Sequence, residues 1–160
     1  MAKQSSRQRL EQQVKVARWV FFLAIPFTIL NLLMILGNFG GFFLYSVSIP
    51  HYLTLICSVW DRSELGRLGL RTWASAAVSL GLMVLYLVCW LKSREKRSWM
   101  KAGLGLAVLD LVIFLQASLF LFGHPQLDIL NLAFHLLAVV EMFQGVRSFR
   151  KLEELDETPI

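Results

Sequence analysis

The chain has 160 residues, of which 56% are apolar and 17% are charged, and its mean hydropathy is +0.58. All but three of the charged residues fall in four blocks, and long apolar runs separate these blocks: 1–18, 61–71, 92–101 and 147–157. A single water-soluble domain cannot bury that much apolar surface, whereas lipid can solvate it. The composition therefore excludes a soluble globular domain and predicts an integral membrane protein.

The formal net charge of +5 does not indicate a nucleic-acid partner. The Lys and Arg residues flank the apolar runs, as they do at membrane boundaries, so the expected partner is the lipid bilayer. The sequence has no P-loop, no dinucleotide-binding glycine motif, no nucleophile elbow and no Cys/His spacing typical of zinc. We therefore expect no cofactor, no metal ion, no catalytic residues and no enzymatic activity.

The first 36 residues predict a basic helix followed by a membrane span. Residues 1–18 carry five Lys or Arg side chains and are typical of an interfacial helix beside anionic headgroups. Residues 19–36 form an apolar run of spanning length, and Pro26 within it predicts a kink. The run is longer than the apolar region of a signal peptide and has no small-residue cleavage site, so we expect it to stay attached.

The stretch "FFLYSVSIPHYLTLICSVW", residues 42–60, is long enough to cross a bilayer. If it does not cross and the N-terminus is cytoplasmic, 13 Lys and Arg residues lie inside and three outside; if it crosses, the numbers are eight and eight. Pro50 also disfavours a helical conformation at Ile49. The prediction is a re-entrant or interfacial segment, and a true fifth crossing is the alternative.

Three further apolar runs have spanning length, namely 72–91, 102–122 and 127–146. Residues 147–160 are expected to form a solvated, frayed cytoplasmic tail. Small residues spaced four apart in the second and third spans, Ala77 with Gly81 and Gly103 with Ala107, predict close helix packing. The fold class predicted for the single domain 1–160 is an all-α integral membrane protein with a four-transmembrane-helix bundle.

The chain resembles small multi-pass membrane proteins of bacteria. The resemblance rests on an early intramembrane Asn, on "FFLYSVSIPHYL", on "CWL" before a basic loop, and on "LD" and "AFH" in the last two spans. It implies a bacterial plasma membrane, with both termini cytoplasmic by the charge count, and it implies no activity.

Five polar residues lie inside the apolar runs and form the candidate intramembrane polar cluster: Asp110, His135, Asn131, Asn31 and Glu141. Ionisable groups at membrane depth are costly and usually face the bundle interior. The helical rise and angular spacing predict a contact between Asp110 and His135, with Asn131 or Asn31 completing the hydrogen bonds, whereas Glu141 lies on another face. The pair either binds a proton or fixes the packing of the last two helices.

A second candidate polar group would lie on the outer side and consists of His51, His124 and Asp128. Three such side chains could hold a metal ion. Asp128, however, follows a short turn and also has the features of an ordinary helix start, so the sequence favours a structural role.

Two hypotheses of function follow from these features. The leading one is a non-enzymatic accessory subunit or a homo-oligomeric structural or interaction protein, which works through packing with itself or with a membrane partner. The alternative is a proton-coupled transporter or channel component that uses the pair Asp110 and His135.

Overall fold

The computed structural model describes residues 2–39, 46–121 and 128–157, and this part of the chain is helical without strands. The helices are α1 (Ala2–Gly37), α2 (Ser48–Leu65), α3 (Leu70–Lys92), α4 (Arg97–Gln116) and α5 (Ile129–Glu157), and a π-helical turn, Ala117–Leu121, continues α4. Four segments are long and apolar enough to cross a membrane: Ser6–Gly37, Leu70–Lys92, Arg97–Phe120 and Ile129–Asp156. The prediction of an all-α, multi-pass membrane protein with four spanning helices is confirmed.

The helices expose large apolar side chains and bury many small polar ones. Leu70 is 85% exposed and Val84 is 59% exposed, whereas Thr28, Thr54 and Ser79 are fully buried. This inversion suits a bundle in lipid, where apolar side chains can face outward and buried hydroxyl groups hydrogen-bond between or within helices.

Helices α1 and α5 are longer than their predicted spans and pack against each other. Their lengths of about 54 and 43 Å exceed the roughly 30 Å of a bilayer core. The pairing continues past the spans predicted from the sequence, 19–36 and 127–146, through Gln13, whose side-chain oxygen accepts a 2.6 Å hydrogen bond from Ser148, and through an ion pair of 2.9 Å between Arg7 and Asp156. Residues 2–18 are therefore one helix with the first span; their interfacial position stays a prediction.

The expectation of a frayed C-terminal tail is wrong as far as Glu157, because α5 runs without a break to that residue. Phe149 packs against the core, and Glu153 pairs with Arg97 at 2.9 Å. These contacts give the last turns of α5 the partners that a solvated end would lack. Residues 158–160 lie outside the described residues.

Helices α2 and α3 form an antiparallel hairpin. Gly66 ends α2 in the left-handed conformation with a φ of 66°, which a glycine adopts without strain. The Asp61 carboxylate then accepts hydrogen bonds from the backbone N–H groups of Gly69 and Thr72, both at 2.9 Å, and from the Thr72 hydroxyl at 2.7 Å. Asp61 thus satisfies the first N–H groups of α3 from the end of α2.

Helix α2 contains most of the stretch 42–60, of which 42–45 lie outside the described residues. The expected disruption at Ile49 is wrong, since α2 already begins at Ser48 and Pro50 occupies its first turn, where a missing N–H costs nothing. The guanidinium of Arg62, near the other end of α2, binds Asn38 and the carbonyl of Ile35 at the end of α1. The segment is not among the four spans, and its re-entrant or interfacial position stays a prediction.

Candidate functional site

Helices α4 and α5 bring Asp110 and His135 into direct contact. His135 Nε2 lies 3.1 Å from Asp110 Oδ2, and the two residues are only 4% and 6% exposed. Phe114, one turn after Asp110, stacks on the imidazole with a centroid distance of 4.7 Å. The contact predicted from helical spacing is present, and it lies inside the bundle away from lipid.

The start of α2 completes this site. The backbone N–H of Ser48 donates to Asp110 Oδ1 at 2.6 Å, and the Ser48 hydroxyl lies 3.0 Å from His135 Nε2. The preceding N–H, that of Val47, donates to Thr28 Oγ1 at 2.7 Å. Because the first N–H groups of a helix carry partial positive charge, the N-terminus of α2 stabilises negative charge on Asp110.

The contacts of the imidazole determine where its protons lie. His135 Nδ1 is 2.8 Å from the backbone carbonyl oxygen of Asn131. A carbonyl oxygen only accepts, so Nδ1 carries a proton. Nε2 then faces a carboxylate oxygen, and this contact is favourable only when a proton lies between Nε2 and Asp110 Oδ2. The pair can thus bind one proton beyond that on Nδ1, and it is neutral with this proton and singly negative without it.

A small cavity lies next to the pair. Its volume is about 20 Å³, and Ser46, Val47, Phe21 and Tyr86 are among the residues that line it together with the pair. A volume of this size with polar groups at the wall accommodates one water molecule. Such a water would accept a proton that the pair releases.

The other residues of the predicted cluster lie at different places. Asn131 joins the site through its backbone carbonyl, and Asn31 is 1% exposed on the same face of α1 as Thr28, three residues before it. Glu141 is half-buried farther along α5, and it forms no ion pair within the described part of the chain. The structure thus separates Glu141 from the pair, as the spacing predicted.

The outer polar group is only partly described, because His124 lies outside the described residues. His51 is half-buried in α2 with its ring against Tyr52. Asp128 Oδ1 accepts the backbone N–H groups of Leu130 and Asn131, both at 3.1 Å, and so caps α5. Within residues 2–39, 46–121 and 128–157, no three His, Cys, Asp or Glu side chains are grouped as metal ligands.

Two residues of the site, Thr28 and Ser48, are not predicted from the sequence. Ser48 shares a charge-free stretch with other hydroxyl residues, and its contact with α4 and α5 depends on the path of the chain. A signal existed in retrospect: Ser48 lies two residues before Pro50, a spacing that suits the first turn of a helix.

Ser48, His135 and Asp110 are the residue types of a serine hydrolase triad, but they are connected differently. In such a triad the carboxylate binds Nδ1 and the serine binds Nε2, so the carboxylate orients the ring that activates the serine. Here both groups contact Nε2, and a backbone carbonyl occupies Nδ1. This arrangement suits proton binding and does not resemble an activated nucleophile.

No family model, curated protein or solved structure matches the chain in comparisons with known proteins.

Proposed function

We propose that the protein is a non-enzymatic membrane protein in which Asp110 and His135 take up and release one proton, as a component of proton-coupled transport or of a proton-gated channel. One observation carries the proposal: His135 Nδ1 contacts a carbonyl oxygen, while Nε2 of the same ring lies 3.1 Å from a buried carboxylate. A buried polar clasp needs no group that titrates, whereas this pair changes its net charge by one when a proton leaves.

The N-terminus of α2 stabilises the pair in its deprotonated, negatively charged state. After the proton leaves, the Ser48 N–H and the partial positive charge of the α2 N-terminus stabilise the remaining negative charge. Many transporters place the end of a discontinuous helix against a buried ion site in this way. We accordingly propose that residues 42–60 enter the membrane from the side opposite the termini and return to that side through α2.

The proposed location is the plasma membrane of a bacterium, with both termini cytoplasmic. The support for this orientation is the Lys and Arg distribution, 13 on the side of the termini against three on the other. The pair would then exchange protons between the two sides through the bundle.

Proton flux into vesicles tests the proposal. The full chain is reconstituted into liposomes that contain a pH-sensitive dye, and an inward proton gradient is applied with valinomycin and potassium to prevent charge build-up. Flux is expected with the native protein and is expected to fall by about tenfold or more in Asp110→Asn and His135→Gln, which each remove one proton-binding group. Glu141→Gln is the matched control, because it removes an intramembrane carboxylate that pairs with no histidine of the described residues.

The test also includes a readout that does not depend on flux. NMR of ¹⁵N-labelled histidine should show His135 titrating in the native protein and a different titration in Asp110→Asn. Equal flux with native protein and empty liposomes, together with a His135 ring that does not titrate between pH 4 and pH 9, would falsify the proposal.

A second candidate function is that of an accessory subunit or homo-oligomer, and a specific observation favours it. Ala77 and Gly81 are exposed on α3, and a Cβ atom added at Gly81 meets nothing within 4 Å in the described chain. Small residues at this spacing allow the backbone of another helix to approach closely. If this candidate is correct, Gly81→Leu should abolish association in a cross-linking assay while Asp110→Asn leaves it intact.

A further inference from the structure

A large groove lies at the end of the bundle that holds both termini. Its volume is about 1120 Å³, and its walls come from the first half of α1, the end of α3 with the turn that follows, and the last turns of α5. Trp19 and Trp90 line it, and side chains of this kind are typical of the level of lipid headgroups.

The carboxylates at the end of the groove farthest from the spans are already paired. Arg7 binds Glu11 at 3.0 Å and Asp156 at 2.9 Å, and Glu153 binds Arg97 at 2.9 Å. These ion pairs leave little net charge at that end of the groove.

The end of the groove next to the membrane has an excess of positive charge. Lys15, Arg18, Lys92 and Arg94 line it, and the one carboxylate among them, that of Glu95, pairs with Lys92 at 3.8 Å. No other described carboxylate lies within 4.0 Å of Lys15, Arg18 or Arg94. Arg18 and Arg94 are also close enough to repel each other. Positive charges that outnumber the carboxylates in one groove attract an anion.

Arg18 is held in place by the protein. Its Nε donates to Ser93 Oγ at 3.1 Å, its Nη2 donates to the Trp90 carbonyl at 3.1 Å, and the guanidinium lies 5.5 Å from the centroid of the Trp90 ring. Ser93 is itself only 3% exposed, so this support is rigid. Three of the five N–H groups of the guanidinium remain for a ligand, and a fixed fork of this kind suits phosphate oxygens.

Apolar surface continues from the groove towards the spans. Trp19 packs edge-on against Trp90 and Phe22, and Trp19 and Leu91 are about half exposed. A soluble anion would use the basic end alone, whereas a phospholipid would place its phosphate there and its acyl chains along this apolar surface. Only a phospholipid would contact both the basic end of the groove and the apolar surface beside it.

We propose that this groove binds an anionic phospholipid, with the headgroup phosphate on Arg18, Lys15 and Arg94 and the acyl chains beside Trp19. The inference is independent of proton binding by the buried pair, because the groove and the pair share no residues.

Lipid binding to the full chain, purified in an uncharged detergent, tests the inference. Native mass spectrometry would count bound phosphatidylglycerol, with phosphatidylcholine and inorganic phosphate as the two comparison ligands. We expect selective retention of phosphatidylglycerol and a roughly tenfold loss of affinity in Arg18→Gln and in Arg94→Gln, since each removes a charge-assisted contact to phosphate. Lys101→Gln removes a charge from an exposed residue at the same end of the bundle but outside the groove, and is expected to change affinity less than twofold.

Three outcomes would overturn the inference: equal retention of the two phospholipids, equal losses in Lys101→Gln and Arg18→Gln, or displacement of phosphatidylglycerol by inorganic phosphate alone. Arg94→Gln changes an exposed side chain, so the test stands even if loss of the Arg18 contacts weakens folding.

Discussion

Ser48 connects the buried pair to the rest of the chain through two separate contacts. Its backbone N–H binds Asp110, and its hydroxyl lies near His135. A substitution of the side chain therefore removes one contact and keeps the other. The residue allows the contribution of the hydroxyl to be measured without removing either member of the pair.

Ser48→Ala is expected to lower the free energy of unfolding by about 1 kcal/mol, the usual net value of one buried hydrogen bond. Unfolding in mixed detergent, followed by circular dichroism, would measure the change. Ser63→Ala in the same helix is the control, because the Ser63 side chain is exposed and bonds only the Trp60 carbonyl. Equal effects of the two substitutions would contradict a specific role for the Ser48 hydroxyl.

The contact between Asp110 and His135 could be predicted from the sequence because it depends only on the regular geometry of two helices. Both residues lie in long helices, so the rise per residue gave their depths and the turn per residue gave their faces. Thr28, which accepts the Val47 N–H, and Ser48, which contacts the pair, are brought to the site by the chain between α1 and α2, and no periodic rule describes such a connection. The part of the site that depends on regular helices was therefore predictable, and the part that depends on the connection was not.

At the scale of helices, close packing is concentrated where glycine faces a partner. A Cβ atom at Gly145 of α5 would lie 2.6 Å from the Cβ of Ala17 in α1, and one at Gly103 of α4 would lie 2.6 Å from Met142 Cε. Gly103 and Ala107 are buried as the small-residue spacing predicted, whereas Ala77 and Gly81 face outward. The spacing alone identifies faces that permit close approach, and it does not say which partner fills them.

Gly145→Ala should destabilise the pairing of α1 with α5 by about 1–3 kcal/mol, since the added methyl forces the helices apart. Gly105→Ala is the matched control, because a Cβ there meets nothing within 4 Å. Thermal unfolding of both variants would give the comparison, and Ala17→Gly should restore part of the loss in Gly145→Ala. An additive effect of those two substitutions would mean that the contact is not the cause.

The cap at the start of α3 predicts a dependence of stability on pH. The Thr72 hydroxyl, followed by the backbone N–H groups of Thr72 and Gly69 and by the charge of Arg71, holds the pKa of Asp61 below its ordinary value of 3.8, although burial opposes this. A lowered folded-state pKa means that the ionised carboxylate contributes its stability above the unfolded pKa. That contribution is lost as the pH falls through the folded pKa.

Asp61→Asn should therefore unfold at a lower temperature than the native protein at pH 6, and the difference should shrink as the pH approaches 3. Scanning calorimetry at a series of pH values would measure both. Glu64→Gln serves as the control, because Glu64 is exposed in the same helix and pairs only with Arg71 at 2.7 Å. A difference that stays constant with pH would show that Asp61 does not act through its charge.

At the scale of the whole molecule, the four spans were predictable because each combines length with a continuous apolar run. Residues 2–18 and 147–157 differ, since polar residues there gain helical structure from contacts between α1 and α5. Helix α2 differs again, because its buried residues include Ser48, Thr54, Ser58 and Asp61. The stretch 42–60 has the length of a span, but Pro50 and the Lys and Arg count disfavour a crossing, so the sequence indicated an unusual segment without indicating where its helix begins and ends.

The orientation of the bundle can be tested with thiols that are accessible at its two ends. Ser93 lies in the basic loop, but it is 3% exposed and holds Arg18, so a thiol there would react poorly on either side of the membrane. Ser63 and Lys96 are both exposed. Cysteine at each of these two positions, in a background with Cys57→Ala and Cys89→Ala, provides accessible reporters at opposite ends of the bundle.

An impermeant maleimide applied to intact cells should label Ser63→Cys and leave Lys96→Cys unlabelled, because the Lys and Arg distribution predicts that the basic loop and both termini lie on the inner side. Both variants should label after the cells are permeabilised, which controls for reactivity. Labelling of Lys96→Cys alone in intact cells would show that the bundle has the opposite orientation. The proposed phospholipid groove would then face the outer leaflet. Labelling of both in intact cells would contradict a membrane crossing by α3, because Ser63 precedes this helix and Lys96 follows it.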